Sequence, residues 1–208
     1  MALDTYAQIA GKVILRCPAA GSLLAREWVS NAFRRIAERR RWSWLQREGQ
    51  FIAPAVYNTG TVTVTNNSLT VTGASTVFTA AMVGRQFRVS SQNPIYTIAS
   101  YVSGTEITLD QVWGGATAAT QGYEIFRAYF TAPSDFHAFI VAVDVENGVR
   151  LDHNAGQDYL AMYDPQRSNS GDPWLLAMRA YDTATTPPLP RYELWPHVKE
   201  LKVIPFLY

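Results

Sequence analysis

Cysteine is almost missing from this chain of 208 residues. Cys17 stands alone, which excludes an internal disulfide framework. Charge is scarce too: 17% of the residues are charged, against about 25% in a typical soluble domain. Together with 48% hydrophobic residues, this excludes a disordered chain and leaves much of the surface uncharged or covered. The formal net charge is +1, which argues against binding nucleic acid through bulk charge. Long apolar runs are missing as well. The longest, Ala138 to Val143, is six residues, far short of the roughly 20 that a membrane helix needs. Lys12 and Arg16 interrupt the only apolar stretch near the start, so no signal peptide is expected and synthesis in the cytoplasm is.

Site chemistry is equally thin. The chain has no Gly-rich phosphate loop closing on Lys-Ser/Thr, no G-x-G-x-x-G and no H-E-x-x-H. His137, His153 and His197 are scattered, with no second ligand at metal spacing, and read as surface or lightly buried side chains. Cys17 follows a helix C-terminus, where the dipole disfavours a thiolate. Asp144, Glu146 and Asp152 surround Asn147-Gly148 without the spacing of a calcium loop, and read as a solvated acidic turn. The expectation is a protein that is not an enzyme, with no catalytic residues, no cofactor and no metal.

What the chain does have is asymmetry. Residues 1–50 hold nine basic and four acidic side chains, a net of +5, and the remaining residues net −4. Between Thr59 and Thr120 there are thirteen threonines and only four charges. Three zones follow: a basic helical head, a Thr/Val-rich β zone and a mixed tail.

The head reads as two helices. Leu3 to about Arg16 has helical apolar spacing, and Pro18 and Gly21 end it. Ser22 is placed to cap a second helix that runs to about Trp44. Leu24, Trp28, Ala32 and Ile36 repeat every four residues, Val29, Phe33 and Ala37 widen the stripe, and arginines hold the opposite face.

The middle zone alternates with period two. Thr61–Thr65 and Leu69–Thr72 flank Asn66-Asn67, a hairpin whose turn residues tolerate positive φ. Further strands are expected at Gln86–Val89, Tyr96–Ser100, Glu106–Leu109 and Tyr123–Arg127. In the tail, Phe136–Val143 is ambiguous between helix and strand, Gln157–Tyr163 reads as helix, and Arg167–Asp172 is flexible in composition. Tyr192–Trp195 and Leu201–Ile204 read as late strands. The expected fold class is α+β: N-terminal helical bundle elements, an inserted small all-β barrel or sandwich, and a mixed C-terminal segment. In that division residues 58–127 are the insert and 1–57 with 128–208 the core.

The sharpest local feature is Arg39-Arg40-Arg41-Trp42-Ser43-Trp44. It fits a solvated helix end, a contact with a neighbouring subunit or phosphate contacts. Arg and Trp are enriched at interface hot spots, and basic residues are favoured near a helix C-terminus anyway. In the β zone, Tyr96, Tyr101, Trp113 and Tyr123 fit either core or a sugar platform.

The order of several stretches carries a resemblance. The Thr-Val-Thr-Val hairpin precedes Ala81-Met82-Val83-Gly84-Arg85-Gln86-Phe87-Arg88-Val89 and Tyr96-Thr97-Ile98-Ala99-Ser100. Then follow Tyr123-Glu124-Ile125-Phe126, Pro133-Ser134-Asp135-Phe136, Asp164-Pro165-Gln166-Arg167-Ser168 and Tyr192-Glu193-Leu194-Trp195-Pro196. With the opening helices and Arg-Arg-Trp-Ser-Trp, the chain resembles the head-to-tail adaptor (connector) proteins of tailed bacteriophages. That resemblance implies a structural virion protein at the head–tail junction. It would form a homo-oligomeric ring, usually of twelve copies, beneath the portal protein. It would carry tail or nozzle proteins below, extend the channel through which DNA passes, and touch no membrane. Interface residues are then expected at Arg34, Arg35, Arg39, Arg40, Arg41, Trp42 and Trp44. Pro205, Phe206, Leu207 and Tyr208 are expected to stand exposed and dock into a neighbour or the portal. The alternative is a β-rich glycan- or receptor-binding virion module.

Overall fold

The computed structural model describes residues 4–40, 42–90 and 94–208. The chain is mixed α+β and divides into two compact units, Met1–Arg47 and Glu48–Tyr208. Residues 48–57 therefore belong with the strands that follow them, not with the helical head.

The first unit holds α1 (Tyr6–Arg16) and α2 (Ser22–Arg39). Thr5 opens α1 with a reciprocal cap: its hydroxyl accepts from the Gln8 N–H, and Gln8 Oε1 accepts from the Thr5 N–H at 2.7 Å. Leu3, expected as the first helical residue, lies outside the described residues. Gly21, not Ser22, is the N-cap of α2; Ser22 is already helical and makes no cap bond. The helix also ends five residues before Trp44. Arg40 is extended, and the Trp42 indole folds back to donate to the Ile36 carbonyl at 2.8 Å. That carbonyl is one of the last four in the helix, which no backbone N–H within it can reach. Ser43–Leu45 is a single 3-10 turn.

The second unit opens with β1 (Glu48–Ala53). Then come β2 (Thr61–Val64), β3 (Thr70–Ala74), β4 (Gln86–Val89), β5 (Tyr96–Ser103), β6 (Glu106–Leu109), β7 (Ala118–Gln121) and β8 (Tyr123–Phe126). These seven pair in the order β7-β2-β3-β6-β5-β4-β8. The hairpin is as the alternation predicts: Val62, Val64 and Val71 point inward, Thr63 and Thr72 outward, and Asn67 takes φ 61° in the turn. Val62, Phe78, Phe87, Ile98, Ile107, Trp113 and Tyr123 are among its core. The segment starts and stops at one place. Tyr57 and Ile125 exchange both backbone hydrogen bonds, at 2.9 and 2.8 Å, and the Tyr123 hydroxyl donates to the Thr59 carbonyl at 2.6 Å.

The remaining elements are β9 (Tyr129–Thr131), β10 (Val141–Asp144), β11 (Val149–Arg150), α3 (Gln157–Tyr163), β12 (Leu175–Asp182), β13 (Leu189–Trp195) and β14 (Lys202–Leu207). They form a four-stranded sheet, β1-β14-β10-β11, and a three-stranded sheet, β12-β13-β9. Phe136–Ile140 is neither helix nor strand. It turns Phe136 and Phe139 against Tyr192, at centroid distances of 5.7 and 4.7 Å.

The apolar C-terminus is not a free tail. Pro205, Phe206 and Leu207 lie in β14 and Tyr208 follows it; Phe206 is 3% exposed and the other three are half-buried. Phe206 packs on Phe51 at 4.5 Å and on Phe139 at 5.2 Å. The reason is register: Gly49 lies opposite Phe206, and a Cβ there would stand 2.6 Å from the ring. The ring lies over a strand position that only glycine leaves open.

Phe206→Ala is expected to cost about 3–5 kcal/mol. Deleting residues 205–208 is expected to abolish cooperative unfolding of the Glu48–Tyr208 unit. Urea titration followed by tryptophan fluorescence checks both; an unchanged midpoint after the deletion would contradict the core assignment.

Candidate assembly interface

The helical hairpin buries very little of itself. Ala10, Ala20 and Ala25 are its buried residues among those described. The Tyr6 hydroxyl ties the helices together, donating to the Arg26 carbonyl at 2.7 Å and meeting Ser30 Oγ at 3.0 Å. Ala25 is sealed, and Val29 and Ala37 are half-buried. The other part of the apolar stripe stays open: Leu24, Trp28, Ile36 and Phe33 are 42% to 52% exposed. A wide apolar stripe on a surface helix normally faces a core. Here the unit covers only part of it.

The basic end of α2 is open as well. Arg34, Arg35, Arg39 and Arg40 are exposed; Arg41 lies outside the described residues. Trp42 and Trp44 do not continue the helix but close its end. Phe33 to Trp44 is 5.8 Å, Trp42 to Trp44 is 6.1 Å, and the Arg40 guanidinium sits 3.7 Å over the Trp42 ring. Trp44 remains exposed. The structure thus groups Arg40, Trp42 and Trp44 and places Arg34, Arg35 and Arg39 along the same helix. The C-terminal set, Pro205 to Tyr208, belongs to the other unit.

The units carry opposite charge. Met1–Arg47 has nine basic and three acidic side chains, and Glu48–Tyr208 has nine basic and fourteen acidic. The second unit also has an apolar outer surface that sequence reading missed. A groove of about 630 Å³ runs over β1, β14 and β10, lined by Val141, Val143, Val145, Pro205 and Leu207 with Glu48 and Gln50 at its side. Its signal was the absence of polar alternation in Val203-Ile204-Pro205-Phe206-Leu207.

Several side chains read as solvated are in fact inside. Asp144 is buried against Lys202, whose ammonium also meets Glu146 at 2.6 Å and Asp172 at 3.0 Å. The expected solvated acidic turn is therefore anchored on one buried lysine. Burial by itself would lower the Lys202 pKa, but hydrogen bonds to Glu146, Asp172 and Asp144 outweigh it and raise it. Glu193 is buried between Arg167 at 2.7 Å and Arg179 at 3.2 Å. Arg167 further donates to the Leu160 and Asp164 carbonyls, so Arg167–Asp172 is pinned rather than flexible. Asp164 accepts from the Ser168 and Asn169 N–H groups and the Trp195 indole, each at 3.0 Å. These donors overcome its burial and hold its carboxyl below the usual range.

His197 is 4% exposed, not a surface side chain, and stacks on Phe126 at 4.3 Å. Cys17 is exposed. Among the described residues no three His, Cys, Asp or Glu side chains gather to hold a metal ion, and no helix is long and apolar enough to cross a membrane. Of the four aromatics that fit either core or a sugar platform, Tyr96, Trp113 and Tyr123 are core residues of the seven-stranded sheet and Tyr101 is exposed. No family model, curated protein or solved structure matches the chain.

The buried imidazole makes stability depend on pH. Burial pushes the His197 pKa down to about 4; Arg88 and Lys199 act in the same direction, and Glu124 and Asp164 oppose. An unfolded imidazole takes its proton near 6.5. Between the two values the unfolded chain holds more protons, so stability is full above 6.5 and falls as the pH drops toward 4. The slope from this group is at most about 1.4 kcal/mol per pH unit. His197→Phe, which keeps a ring on Phe126, is expected to flatten it. Urea midpoints of both proteins at pH 7 and pH 5 give the comparison; parallel losses would remove His197 as the source.

Proposed function

We propose that this chain is a structural, non-enzymatic virion protein that forms a ring beneath the portal, joins head to tail and extends the DNA channel. In this reading residues 58–127 are a β domain inserted into the strands of the Glu48–Tyr208 unit, and the helical hairpin of Met1–Arg47 is a second part of the adaptor. The observation that carries the proposal is the helical hairpin, whose apolar stripe and arginine-rich end both lie open. Monomeric proteins rarely leave contiguous apolar surface uncovered, and arginine beside tryptophan is the composition of interface hot spots. The charge division adds to this. A ring is built from head-to-tail contacts in which one patch meets a different patch. A basic unit and an acidic unit on each copy supply such a pair. The order of motifs along the chain, set out above, resembles that of head-to-tail adaptors and supports a place at the head–tail junction.

The test is to mix the purified protein with portal rings and image the mixture by electron microscopy. Added density coaxial with the portal is expected, with the copy number given by its symmetry. Bare portals at high protein excess would overturn the reading. Reversing Arg39, Arg40 and Arg41 to Glu is expected to abolish the added ring while leaving the far-ultraviolet circular dichroism of the free protein unchanged. A variant that assembles normally would take the arginines out of the interface.

A further inference from the structure

The four-stranded sheet has an apolar inner face and an outer face that is apolar along β14 and β10. Alternate residues of β1, β14 and β10 turn inward: Phe51, Ile204, Phe206 and Ala142 are core. Their neighbours turn outward: on β14 and β10 these are apolar, and on β1 Ile52 stands beside the polar Glu48 and Gln50. Ile52 lies opposite Val203, and Val141 lies opposite Leu207, with Pro205 and Val143 completing the surface. Ile52 and Val203 are more than 40% exposed. An antiparallel sheet with one wet face reads as alternating apolar and polar; β14 breaks that rule, because Val203, Pro205 and Leu207 on its outer side are all apolar.

The geometry points to the occupant being α2 of a second copy of this chain. We infer that Leu24, Trp28 and Ile36 of one copy dock on the outward face of β1, β14 and β10 of the next. Three observations carry this. Each copy has one uncovered apolar helix stripe and one uncovered apolar sheet face, and the two differ in shape as a head-to-tail contact requires. A helix is about 10 Å wide and strands lie about 4.8 Å apart, so one helix spans the width of β1, β14 and β10. The helix belongs to the basic unit, with exposed Arg34 and Arg35, while the groove belongs to the acidic unit and has Glu48 at its side. The inference deepens the ring reading by naming the two surfaces that meet, and its test separates the two.

Two single-cysteine proteins are made on a Cys17→Ser background, one with Trp28→Cys and one with Val143→Cys. They are mixed, with and without portal rings, treated with a short bismaleimide, and the same samples are imaged. A cross-linked pair is expected in the mixture and not in either protein alone. Adding Leu24→Asp to the Trp28→Cys chain, at a site already exposed, is expected to cut the yield roughly tenfold. Rings without the link overturn the docking and leave the ring reading standing. Linked copies that never close into rings keep the docking and remove the ring reading. A chain carrying both Trp28→Cys and Val143→Cys that links only within itself overturns the docking, because each sheet is then covered by its own hairpin. Neither links nor rings removes both.

Discussion

The pairing of β1 with β14 is the contact on which the larger unit depends. Six residue pairs, from Glu48 with Leu207 to Ala53 with Lys202, join the start of the unit to its end. One strand face brings Phe51, Ile204 and Phe206 into the core. The same strand carries Lys202 to Asp144 and turns Val203, Pro205 and Leu207 outward. A slip of one residue in β14 would move Lys202 to the outer face and strand Asp144 inside, uncompensated. Both the core and the buried charge thus oppose any other register. Contacts this distant along the chain form slowly, because loop-closure entropy is lost before they return any gain.

The scarcity of charge acquires a physical meaning in this arrangement. Few charged residues are present, and several of those few are spent inside. Glu193 lies between Arg167 and Arg179, and Asp144 beside Lys202. The surface left over is correspondingly apolar, on α2 and on the outer sheet.

What could be read in the sequence was what is local. The Thr-Val alternation, Asn67 in its turn, and the strands Gln86–Val89 and Glu106–Leu109 all follow from period two and turn chemistry within a few residues. The α+β class followed from the same patterns. What was not legible depends on partners far along the chain. Phe206 looks like a sticky tail until Gly49 is placed opposite it. Arg167 sits in a stretch of flexible composition until it meets Glu193. The end of α2 was misjudged because Trp42 has an apolar side chain that a helical stripe accepts, whereas its indole N–H goes to the Ile36 carbonyl. The candidate interface was half visible. The arginines at the end of α2 are exposed, as an amphipathic pattern implies. The apolar stripe read as core-facing is in part open, and the outer sheet face left no alternation to read.

The joint at Tyr57 and Ile125 has a consequence for how such a chain changes over time. The seven-stranded segment leaves and re-enters through one pair of backbone hydrogen bonds, so the distance between its ends does not depend on what lies between them. Loop-closure entropy rises only slowly with length, and a folded segment with adjoining ends imposes almost no strain on its host. The far end of the segment can therefore lengthen or shrink while β1 and β14 continue to meet, provided that Phe126 keeps its stack on His197, Arg88 its bond to the Arg167 carbonyl and Gln86 its bond to the Ala128 N–H.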